Sequence, residues 1–188
     1  MKSIIESLRE IPVINRGEYE YLIHPITDGI PLVKPSYLRD VVVEICRIAS
    51  LNEANKIVTI EAMGLPIAAA LSLVTDLPFV VVRKKSYGLE GEVEVMQKTG
   101  YSEGTLYINC IDKNDKVVIV DDIISTGGTL ISVIKGIEKA GAKILDIVCV
   151  FERGEGKERV KKDTGYDVKT LIKLDVKDGK VRILETCR

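Results

Sequence analysis

Four short apolar runs occupy the middle of the chain: KIVTI (56–60), PFVVV (78–82), KVVIV (116–120) and KILDIVCVF (143–151). Each is short, mostly β-branched and apolar on both sides, and so reads as a buried strand. Helical patterns lie between them. PIAAALSLV (66–74) follows the first run. After the third, a helix is predicted from Gly128 to Ala140, with Leu130, Ile131, Ile134, Ile137 and Ala140 on one side and Gly141 ending it. Strands buried on both faces and joined through helices build a parallel sheet. The expected fold class is α/β, a central parallel sheet flanked by helices.

The flanks are less regular. KSIIESLREI (2–11) has helical spacing. Residues 17–35 hold three prolines and read as strand and loop. Ser36 is the expected N-cap of a helix over 37–51. Residues 83–105 are polar, with four glycines and little apolar periodicity, and read as a long functional loop closed by a strand at 105–110. A short helix or loop at 156–168 precedes strands near 168–175 and 180–184. At 188 residues, one domain spanning 1–188 is expected.

A net charge of −1 supplies no overall basic field for nucleic acid. No apolar stretch is long enough to span a bilayer. Met1–Glu10 carries Glu6, Arg9 and Glu10 and is no signal peptide. Cys46, Cys110, Cys149 and Cys187 lack zinc or redox spacing. Cys46, Cys110 and Cys149 lie in apolar runs and are expected as reduced core thiols of a cytoplasmic protein.

The chemistry concentrates in VVIVDDIISTGGTL (117–130). Ligands of parallel sheets bind beyond the carboxyl ends of the strands, where this loop falls. Gly127 and Gly128 permit a tight turn whose amides share one hollow. The helix behind adds its positive end. Ser125, Thr126 and Thr129 add hydroxyl donors. That is a cradle for a phosphate monoester, and no nucleoside-triphosphate P-loop is present. Asp121 and Asp122 are acceptors for vicinal sugar hydroxyls. The implied ligand is a 5-phosphorylated ribose. Two other strand ends agree: Glu61-Ala62-Met63-Gly64 is a small-residue turn whose amides can approach an anion, and Arg83-Lys84-Lys85 brings three cations to the same edge.

VVIVDDIISTGGTL resembles the fingerprint of the type I phosphoribosyltransferases, and the resemblance covers roughly residues 55–152. IVTIEAMGLPIAAAL resembles their pyrophosphate loop, and VVVRKK the next strand end. The branch most resembled is the archaeal one acting on hypoxanthine and guanine. The resemblance implies a core of about 36–152, a small hood from about 11–35 and 153–188, and a flexible lid at 86–104 with Tyr101 and Ser102 over the pyrophosphate. It implies Mg²⁺-dependent transfer of phosphoribosyl from 5-phosphoribosyl 1-pyrophosphate to hypoxanthine or guanine, giving IMP or GMP. Magnesium would be held mainly through the substrate, with no dedicated protein ligands. A cytoplasmic homodimer is implied as well.

One departure stands out. Ser125 occupies the position of the aspartate that handles the purine proton in the well-known hypoxanthine–guanine branch. An acid or base is then sought among Glu90, Glu92, Glu94 and Glu103. For the base, Arg153 and Lys157 offer cationic donors to a 6-oxo group, and Phe151 a stacking surface. His24 is expected to be structural. Alternatives are adenine as the base, a transcription regulator sensing phosphoribosyl pyrophosphate, and a non-catalytic synthetase subunit.

Overall fold

The computed structural model describes residues 1–17, 19–98 and 103–187. The chain opens with α1 (Lys2–Ser7), an antiparallel pair β1 (Val13–Arg16) and β2 (Tyr19–Leu22), a single turn α2 (Pro25–Asp28) and α3 (Pro35–Ile48). Then come β3 (Lys56–Ile60), α4 (Gly64–Thr75), β4 (Phe79–Val82), β5 (Val93–Lys98), β6 (Glu103–Ile108) and β7 (Lys116–Ile124). The chain closes with α5 (Gly128–Lys139), β8 (Lys143–Glu152), α6 (Gly156–Thr164), β9 (Lys169–Lys177) and β10 (Lys180–Thr186).

Six strands form the central sheet in the order β10-β9-β8-β7-β3-β4. All neighbours pair in parallel except β10, which is antiparallel to β9. The sheet is therefore mixed rather than wholly parallel. The cause is local: Asp178 and Gly179 both have positive φ, 55° and 70°, and connect β9 to β10 as a two-residue hairpin turn. A link that short cannot make a parallel crossover. Of 153–188, expected as hood, β9 and β10 thus extend the central sheet itself.

The strands sort their side chains by the pleat. Along β7, Val118 and Val120 join one core with Val41 and Ile45 of α3 and Ile67 and Leu71 of α4. Val117 and Ile119 face the other, with Leu130, Ile134 and Ile137 of α5. Both cores exclude water from these residues almost completely.

Four expectations are corrected. Residues 93–98 and 103–108 are not open loop: β5 and β6 pair antiparallel from Val93↔Ile108 to Lys98↔Glu103. Too few apolar residues mark these strands for a periodicity signal, yet Leu106 and Ile108 are fully buried. Helix α3 starts two residues early, with Pro35 in its first turn and Lys34 at the N-cap instead of Ser36. β7 runs on through both aspartates to Ile124. Among the cysteines only Cys149 is buried, while Cys46 and Cys110 are exposed.

Candidate active site

β7 stays paired with β8 as far as Ile124↔Glu152, so Asp121 and Asp122 belong to the sheet. The Asp122 N–H donates to Asp121 Oδ1 at 3.0 Å. Burial pushes the Asp121 carboxyl up to about 6, with hydrogen bonds from Asp122 and the Lys84 charge opposing. Asp122 is raised well above the ordinary range by burial, by the Asp121 charge next to it, and more weakly by Asp28. Two neighbouring carboxyls cannot both ionise cheaply, which adds to the upward push on each.

Behind them the chain turns through Ser125 and Thr126 to Gly127, whose φ of 73° begins α5. Ser125, Thr126, Gly127 and Thr129 all line the cleft. The loop is backed by the start of α6. A Cβ on Gly156 would stand 2.7 Å from the Gly127 nitrogen. Arg159 Nη1 donates to the Thr126 carbonyl at 3.2 Å. This leaves the amides of the turn at the N-terminal end of α5, an arrangement suited to an anion.

Across the cleft, Glu61 joins two strand ends. Its Oε1 accepts from the Lys84 N–H at 2.6 Å and its Oε2 lies 2.9 Å from Arg83 Nε. The peptide between Glu61 and Ala62 is cis. Gly64 has a packing role: a Cβ there would stand 3.0 Å from Asp121 Oδ1 and would clash with Thr59 Oγ1. Thr59 in turn donates to the Val120 carbonyl at 3.0 Å.

The cleft holds about 1060 Å³. Its lining includes Ser125, Thr126, Gly127, Thr129 and Arg159, the pair Asp121 and Asp122, and Glu61, Lys84, Tyr21, Arg153 and Asp175, while Gly128 lies off the wall. Of the three strand-end cations, Lys84 lines it. Arg83 is taken by Glu61 and packs 5.8 Å from the Tyr87 ring, and Lys85 is exposed off the wall. Ala62 and Met63 are likewise off the wall, and the Met63 side chain approaches Gly29. Phe151, expected against the purine, is instead fully buried beneath His24, whose ring meets it edge-on at 5.0 Å. Tyr101 and Ser102 lie outside the described residues.

Arg153 does reach the cleft, with Nη1 donating to the Glu20 carbonyl at 2.6 Å and its N–H to Ile124 at 2.9 Å. Lys157 pairs with Glu152 at 3.8 Å instead. His24 is structural as expected: Nδ1 accepts from the Ile26 N–H at 3.0 Å and Nε2 lies 2.8 Å from Ser7 Oγ. Burial lowers its pKa to about 4 against the opposing Asp28 charge. Glu92 is bound up by Ser86, Tyr87 and Asn109, which hold its carboxyl down at about 2 and leave it a poor proton carrier at neutral pH. Sequence reading missed Tyr21, Gln97, Arg159 and Asp175 as cleft residues, and no local pattern marks them.

Among the described residues, no three histidine, cysteine or acidic side chains converge as a metal site. Asp121 and Asp122 are hard oxygen donors exposed to the same cleft. A hard divalent cation there would take its remaining ligands from substrate oxygens and water.

Anion cradle, carboxylate pair and strand-end cation on adjacent ends of one sheet define a protein built around a phosphorylated sugar. Residues 45–181 match the phosphoribosyl transferase domain, and the chain belongs to that family. It is 64% identical over 178 residues to the hypoxanthine/guanine phosphoribosyltransferase of Methanocaldococcus infernus, covering 95% of this chain and 97% of that one. It is 58% identical to the enzyme of the same name from Methanothermococcus okinawensis, over 98% of this chain and all of the relative. Among solved structures, it resembles the adenine phosphoribosyltransferase of Rhodothermus marinus, with a TM-score of 0.75 and 24% identity over 92% of this chain and 97% of that one.

Proposed function

We propose that this protein is a purine-salvage phosphoribosyltransferase that moves the phosphoribosyl group from 5-phosphoribosyl 1-pyrophosphate to hypoxanthine or guanine. IMP or GMP and pyrophosphate are the products. The observation that carries the reading is the one cleft lined by Ser125, Thr126, Gly127, Thr129, the aspartate pair and Lys84 together. The chemistry of these three groups suits a 5-phosphate, vicinal hydroxyls and a leaving pyrophosphate respectively. The named relatives support the purine.

In this reaction the bond from the anomeric carbon to pyrophosphate breaks as the bond to a purine ring nitrogen forms. Charge passes to the leaving group while the sugar becomes cationic. Lys84 neutralises the first, and Asp121 and Asp122 accept hydrogen bonds from the ribose hydroxyls and oppose the second. The loop amides and Thr129 fix the far end, so the chain contributes mainly positioning. Mg²⁺ would be held mainly through pyrophosphate and ribose oxygens, beside Asp121 and Asp122 in the same cleft, and would supply further neutralising charge. Arg153 offers a donor to the 6-oxo group, which favours an oxopurine over adenine. Ser125 serves as a phosphate contact. Residues 11–35 form a hood over the core, and Tyr101 and Ser102 meet the pyrophosphate. A cytoplasmic homodimer completes the reading, supported by the exposed apolar side chains of Leu73, Val74 and Phe79.

The test is turnover with Mg²⁺ and phosphoribosyl pyrophosphate against hypoxanthine, guanine, xanthine, adenine and orotate in turn. Nucleotide is expected from the first two. Nucleotide from none would sink the reading, and nucleotide from adenine alone would reverse the base assignment.

A further inference from the structure

β5 lies along α5, residue on residue. Thr129, Ser132 and Gly136 recur at helical spacing on one side of α5. Gln97, Met96 and Val95 lie against them in that order. A Cβ on Gly136 would stand 2.9 Å from Val95 Cγ1 and 2.6 Å from Ile108 Cδ1, so the hairpin sits directly on the helix backbone. Ser132 Oγ donates to the Met96 carbonyl at 2.8 Å. Gln97 Nε2 donates to Thr129 Oγ1 at 2.5 Å. Both Gln97 and Thr129 face the cleft.

The last contact has a directional consequence. A threonine hydroxyl has one hydrogen to give. With the Gln97 amide supplying a hydrogen to its oxygen, Thr129 keeps its own for another acceptor. Gln97 lies 32 residues from Thr129 and outside the loop motif. Burial of Val95 and Ile108 against the helix holds it there.

We propose that Gln97 is a positioning residue of the phosphate cradle: it orients the Thr129 hydroxyl toward a bound 5-phosphate, and Gly136 sets the register that delivers it. This rests on the reading of Ser125–Thr129 as the phosphate site. Gln97 acts through Thr129 and takes no part in bond making. The three close contacts along α5 also make the hairpin a rigid part of the cradle up to Gln97.

The test uses the full-length protein and calorimetric titration with ribose 5-phosphate and, separately, with pyrophosphate. Gln97→Ala is expected to weaken ribose 5-phosphate about tenfold, the size of one hydrogen bond, with pyrophosphate unchanged. Gln97→Glu is expected to be worse than Gln97→Ala, because a carboxylate accepts the Thr129 hydrogen and sets a negative charge beside the phosphate. Thr129→Val should weaken ribose 5-phosphate, and adding Gln97→Ala to it should cost no more. Gly136→Ala, checked for folding by thermal melting, should show the same selective loss.

Wild-type affinity in Gln97→Ala, equal loss of pyrophosphate, additive effects in the double variant, or a harmless Gln97→Glu would each overturn the positioning role. If Gly136→Ala fails to fold, the Gln97 series decides alone. Failure of the wild-type protein to bind ribose 5-phosphate would instead overturn the phosphate-site reading.

Discussion

Gly127 and Gly156 meet backbone to backbone. A Cβ on Gly127 would stand 2.6 Å from the Gly156 carbonyl oxygen, and a Cβ on Gly156 2.7 Å from the Gly127 nitrogen. No rotamer change relieves either clash, because backbone lies on both sides. Gly156→Ala is therefore expected to destabilise the fold by about 1–3 kcal/mol, as overpacking does. Gly127→Ala adds strain at φ 73°, about 1–2 kcal/mol more. Thermal melting reads the stability, and a raised KM for phosphoribosyl pyrophosphate reads the distorted cradle.

Asp122→Asn should impair turnover far more than Ser125→Ala. Losing a charged acceptor for a ribose hydroxyl costs roughly 1.5–3 kcal/mol, or about 10–100-fold in kcat/KM. Ser125 is one donor among several backbone amides, so its loss is expected to stay within about tenfold. Steady-state kinetics with hypoxanthine separates the two, and equal losses would reverse the assignment.

The aspartate pair also makes stability depend on pH. Both carboxyls are raised in the folded protein, Asp121 to about 6 and Asp122 further. A raised acid favours folding while it stays protonated. That contribution is full below the unfolded value of about 3.9 and is lost as pH climbs through 6 and beyond. Asp122→Asn should therefore raise the melting temperature of the ligand-free protein at pH 8 and leave it nearly unchanged at pH 4. A stabilisation that is equal at both pH values would contradict this.

Glu61→Gln removes the charge that holds Arg83 at 2.9 Å while leaving an acceptor for the Lys84 N–H. The freed Arg83 is expected to disorder the strand end rather than gain function. Pyrophosphate inhibition should weaken by about 3–10-fold, as for loss of one partly exposed ion pair, with the base KM little changed.

Arg153→Ala should raise the KM for hypoxanthine by about tenfold, one charge-assisted hydrogen bond, with little change in that for phosphoribosyl pyrophosphate. It also loses the 2.6 Å bond to the Glu20 carbonyl, which fastens β2 over the cleft. Arg153→Lys, which keeps the charge, is the control.

The central strands and α5 were legible because each is a contiguous pattern carrying its own period. The strand end and turn from Asp121 to Thr129 were legible for the same reason, since these residues are neighbours in the chain. Phe151 shows the limit of this. An aromatic at a strand end near a base site is chemically plausible as a stacking surface, yet the pleat and the packing of His24 turned it inward. The hairpin 93–108 was hidden because Val93, Val95, Leu106 and Ile108 become a buried face only once α5 lies under them.

The sequence by itself determined the parallel core, the glycine turn behind the aspartate pair and the family resemblance, all local in chain order. Only the tertiary structure decided which strand-end cation faces the cleft, that Glu61 ties Arg83 and Lys84 together, and that Gln97 reaches Thr129. Those contacts join residues 22 to 32 positions apart, and hydrogen bonds at such separations follow from how elements pack. No run of neighbouring residue types encodes them.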